Sequence, residues 1–107
     1  MEHRCVVRKP IALDVVINYR ALGLVQGRTS NLGIGGMFVD TGCIELPVNA
    51  LVETVFLLDD NGRQIPCKTE AMVMHSDSGG AGLMFNDLDH ALHASLHRVL
   101  MDHKELL

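Results

Sequence analysis

The chain has 107 residues, 48% of them apolar and 21% charged, with a net charge of −4; this is one domain with its own core and excludes a disordered chain. The charge is uneven, +3 over residues 1–30 and −7 over residues 31–107. That excludes the broad positive face a duplex-DNA binder needs and fits a local pocket for a small anion.

Residues 1–10 read as a flexible polar arm closed by Pro10, and residues 11–107 as a single domain. Residues 11–20 (IALDVVINYR) are β-branched and partly alternating, which predicts a strand. Residues 24–32 predict a second strand entering a glycine-rich turn, and Gly36–Asp40 a third. Residues 51–59 alternate, and Asp60-Asn61-Gly62 is a hairpin signal leading into a long return strand over 63–76. Pro66 marks an edge or a bulge near the start of that strand. Ser78-Gly79-Gly80 turns the chain into a strand over 80–85. Short strands at this spacing predict an antiparallel sandwich or barrel. From Leu88 the period changes: Leu88, Leu92, Leu96, Val99, Leu100 and Leu106 fall at helical spacing. This predicts a C-terminal helix over about 88–105, capped by Asn86 or Asp87 and laid against the strands.

Two segments offer chemistry. Arg4 and Arg8, four apart in RCVVR, supply two planar guanidinium forks, and Asn31–Gly36 (NLGIGG) is a turn whose backbone can be approached closely. Together they suggest an anion clamp. His90, His93 and His97 share a helix face at a spacing that can bind zinc, but the pattern lacks HExxH and a solvated polar face is the better account. No GxSxG elbow, P-loop or dinucleotide fingerprint is present, so no enzyme and no cofactor are expected. Cys5, Cys43 and Cys67 are scattered outside any CxxC spacing and read as free thiols. The charged start and the short apolar runs argue against a leader or a membrane span, so a cytoplasmic protein is expected.

The order RxxxR, strand, then NLGIGG, followed by TEAMVMHS, GAGLMF and the terminal helix, resembles the PilZ family, bacterial receptors for the second messenger cyclic di-GMP. Arg4 and Arg8 match the first family motif. Asn31 and Gly36 match the second, [DN]xSxxG, with Gly33 standing where the family has serine. The resemblance implies a mostly β fold, a six-stranded antiparallel β-barrel with a C-terminal α-helix and the ligand on its outer face. It assigns Arg4 and Arg8 to the guanine edges and phosphates of cyclic di-GMP, contacts that suit a bidentate fork. Asn31 would meet a guanine edge, or close the turn by its own hydrogen bond. Gly33 and Gly36 would lie against the ligand or simply shape the turn. His75 falls where some family members stack an aromatic on guanine; a surface histidine is the plainer reading. The implied partner is a separate effector protein, engaged by a monomer or a dimer. The alternative is a divergent PilZ-like interaction module that binds no nucleotide.

Overall fold

The computed structural model describes residues 8–102. The alternation over residues 51–59 becomes strand β5, Leu51–Asp60, which buries Val52, Thr54, Phe56, Leu58 and Asp60 on one face. A two-residue loop returns the chain into β6, Arg63–Asp77. Asn61 and Gly62 both have left-handed backbone (φ 55° and 90°), the geometry of a type I′ turn, whose twist matches that of the flanking strands. The Gly62 N–H donates to Asp59 Oδ1 at 2.9 Å. Pro66 pairs with Leu57 in the half of β6 that has a strand on one side only, where its missing N–H is tolerated.

The remaining strands are β1 (Arg8–Lys9), β2 (Asp14–Tyr19), β3 (Gly23–Gly33), β4 (Gly36–Asp40) and β7 (Gly80–Phe85). All the strand pairings are antiparallel, in the order β1-β3-β2-β5-β6-β7-β4. β4 also pairs with β3. That last pairing closes β2 through β7 into a six-stranded barrel, with β1 added beyond β2 along β3. Helix α1 (His90–Asp102) packs on β5 and β3. It buries Leu92, Leu96 and Leu100, spaced one turn apart, onto a core that includes Ile17, Leu32, Met37, Leu58 and Val73. Among the described residues no helix is long and apolar enough to cross a membrane.

Two local expectations are corrected. The strand expected over residues 11–20 begins at Asp14, because the buried Thr29 takes over the pairing ahead of it. The Thr29 hydroxyl accepts from the Leu13 N–H and donates to the Ile11 carbonyl, both at 2.7 Å, and the Thr29 N–H donates to the Leu13 carbonyl at 2.8 Å. The helix cap is Asp89, whose Oδ1 accepts from the Leu92 N–H at 2.8 Å. Asp87 is instead the left-handed residue (φ 58°) that turns the chain after β7.

Candidate functional site: the outer face beside the glycine turn

Most of the sequence expected to turn is strand. Asn31, Leu32 and Gly33 finish β3, Ile34 and Gly35 alone form the bend, and Gly36 already belongs to β4. β1 lies against that end of β3, with Arg8 opposite Gly33 and Lys9 opposite Leu32. The register places Arg8 beside Asn31, and Arg8 Nη1 donates to Asn31 Oδ1 at 2.6 Å. The contact joins the end of RCVVR to the start of NLGIGG across 23 residues of sequence. Arg4 lies outside the described residues.

The neutral partner of Arg8 matters. A carboxylate there would cancel the guanidinium charge, whereas the Asn31 amide orients it and leaves its charge available to an anion. With Oδ1 accepting from Arg8, the Asn31 NH₂ is the group left to donate.

From Asn31 a single row crosses the outside of the barrel. Asn31 on β3 pairs with Phe38 on β4, Phe38 with Gly82 on β7, and Gly82 with His75 on β6. Three strand spacings separate its ends, roughly 14 Å. His75 is exposed, and its Nε2 lies 3.1 Å from Asp77 Oδ2. The Asp77 carboxyl is held below its ordinary pKa, first by the Gly79 N–H at 2.7 Å and then by His75. The barrel thus brings Arg8, Asn31 and Gly33 together directly, and sets His75 at the far end of their row.

Two members of the row were not anticipated. Phe38 is half-buried and points outward because its neighbours Met37 and Val39 are buried inward. Gly82 leaves a shallow notch between Phe38 and His75: a Cβ there would sit 3.8 Å from Phe38 Cδ2 and 3.6 Å from His75 Cβ. The signal in sequence was a lone aromatic at an outward strand position.

Gly36 has a packing reason of its own. It pairs with Met84 on β7, and any side chain there would run into the Leu83 carbonyl oxygen. Recesses among the described residues lie between Leu13, Asp60 and Val99 and beside Leu24 and Ile44. His90, His93 and His97 stand exposed along α1, and among the described residues no three His, Cys, Asp or Glu side chains are placed to hold a metal ion.

The family model described as PilZ domain matches residues 2–102. Among solved structures, the chain resembles the Bacillus subtilis inhibitor of motility MotI/DgrA with a TM-score of 0.80 at 18% identity, covering 94% of this chain and 50% of that one. It also resembles the PilZ domain of CeSA from a cellulose-synthesizing bacterium, with a TM-score of 0.64 at 16% identity and coverage of 89% and 95%. The chain therefore spans about half the length of the Bacillus protein. No curated protein matches the sequence.

Proposed function

The chain belongs to the PilZ family, and from that premise we propose that it is a receptor for cyclic di-GMP that acts on a separate effector protein rather than as an enzyme. The observation that carries the reading is the Arg8–Asn31 contact, which joins the two motifs at one place on the outer face. In this mechanism the dinucleotide is clamped between the segment bearing Arg4 and Arg8 and the surface from Asn31 to Gly36. Guanidinium forks take the phosphates and the O6/N7 edges of guanine, while the Asn31 NH₂ donates to a base. His75 and Phe38 offer ring faces farther along the row.

Gly33 supplies no hydroxyl where the family motif has one. That omission costs about 0.5–1.5 kcal/mol, roughly a factor of 2–10 in affinity, and the arginines contribute more. The Bacillus neighbour is by name an inhibitor of motility, which supports output through another component.

The test is calorimetric titration with cyclic di-GMP, with an Arg4→Ala/Arg8→Ala variant and GTP as controls. Saturable binding that disappears in the variant is expected. Absence of heat at high ligand would overturn the receptor reading. The chain would then be a divergent, nucleotide-independent interaction module, the alternative that Gly33 and Asn31 support and the intact arginines oppose.

A further inference from the structure

At one end of β5, β6 and β7 the outward positions break the apolar-in, polar-out rule that an antiparallel barrel exposed to water follows. Leu51 pairs with Met72, Met72 with Met84, and Met84 with Gly36, so one apolar row crosses the outer face and ends at the candidate site. Met74 enlarges it: it is the extra residue of the bulge between Val73 and His75. Leu51 and Met74 are each 50% exposed and Met84 41%. Methionine is an adaptable side chain favoured where a surface accommodates a partner.

The next row along the same strands is acidic. Glu53 and Glu70 face each other directly across β5 and β6, an arrangement that costs stability unless something answers it. Lys68 Nζ reaches Glu53 at 3.7 Å, and Arg20 lines the recess that both carboxylates share. Glu70 takes its side-chain hydrogen bond from the neutral Asn86 amide at 3.1 Å. At the other border of the methionines stands His75, bonded to Asp77. The apolar centre and the acidic row beside it disfavour two occupants: an anionic bilayer and a nucleic acid are both repelled.

We propose that this face, centred on Leu51, Met72, Met74 and Met84, docks an amphipathic helix of a partner protein that carries an apolar stripe flanked by lysine or arginine. The helix lays its stripe on the methionines and sets a basic side chain at Glu70. Its position beside Gly36 and His75 places the helix against whatever occupies the candidate site. The proposal rests on the reading above only in taking the chain to act through a partner.

The experiment titrates the full chain with a short amphipathic Leu/Lys helical peptide, read by fluorescence anisotropy and amide chemical shifts. A scrambled peptide of the same composition and a Leu/Glu counterpart are controls. The expected result is saturable binding of the Leu/Lys peptide alone, with shifts centred on Leu51, Met72, Met74 and Met84. Glu70→Lys and Met74→Gln/Met84→Gln should each weaken it about tenfold, with melting curves confirming that both variants fold. Equal binding of the scrambled peptide, shifts elsewhere, or indifference to both variants would overturn the proposal. So would self-association abolished by Met74→Gln/Met84→Gln, or binding to phosphatidylglycerol vesicles. Cyclic di-GMP added to the same samples reports the receptor reading separately: peptide binding without any nucleotide response sinks that reading and leaves the docking face standing.

Discussion

Gly35 and Gly36 are neighbours in one motif with different physical duties. A Cβ on Gly35 would meet nothing within 4 Å, whereas one on Gly36 would strike the Leu83 carbonyl of the neighbouring strand β7. Gly36→Ala is therefore expected to destabilise by about 3 kcal/mol, because backbone must move to admit it. Gly35→Ala should stay within about 1 kcal/mol and can stabilise by restricting the unfolded chain. Urea denaturation of the two variants checks this, and equal losses would refute it. The cysteines divide in the same way. Burial pushes the Cys67 thiol up to about 11, while Cys43 is exposed. Iodoacetamide at pH 8 with peptide mapping should label Cys43 in the native protein and leave Cys67 until unfolding. The folded pKa of Cys67 exceeds its unfolded value, so its contribution is fully present below about pH 9 and is lost as pH rises through about 11. Relative to Cys67→Ala, the native chain should lose roughly 2–3 kcal/mol across that window, measured by denaturation at each pH.

At the scale of elements, one ion pair ties the β5–β6 hairpin to the helix. Asp60 ends β5 with its side chain 8% exposed, and Arg98 Nε donates to its Oδ2 at 2.8 Å. Arg98→Ala strands that carboxylate and should cost about 1–3 kcal/mol. Asp60→Asn in the same background should recover part of the loss, and a double-mutant cycle on denaturation midpoints measures the coupling. Local signals carried most of these elements into view. Asn61-Gly62 named its turn, and the alternation of β5 named its buried face, because both depend on adjacent residues alone. Readings failed where a distant group intervened. Thr29 replaces the start of β2 from 16 and 18 residues away, and the cap moved to Asp89 because Asp87 was needed to turn the chain. Arg8 and Asn31 could be associated through the family motif. The row through Phe38 and Gly82 to His75 could not be, since it depends on four strands and the bulge at Met74 being in register.

For the whole molecule, the relevant fact is that β1 lies outside an otherwise closed barrel. The pairing of β3 with β4 leaves no free end in the six-stranded cycle, so the barrel should unfold as one cooperative unit. Among the described residues β1 pairs Arg8 with Gly33 and Lys9 with Leu32, and the Arg8–Asn31 bond is exposed. An exposed contact of that kind contributes less than about 1 kcal/mol, so Arg8→Ala alone should leave the melting temperature nearly unchanged. Under the proposed clamp, a dinucleotide held by Arg8 changes the balance, because the clamp needs β1 and β3 in place. At a ligand concentration of 100 times Kd, linkage adds about 2.7 kcal/mol. For a domain of this size that raises Tm by roughly 10–20 °C, each kcal/mol being worth about 4–8 °C. Differential scanning calorimetry with cyclic di-GMP should show that rise in the native chain and a much smaller one in Arg8→Ala. Equal shifts in both would mean that the nucleotide binds away from the β1–β3 junction, and the clamp would have to be abandoned even though binding itself survived.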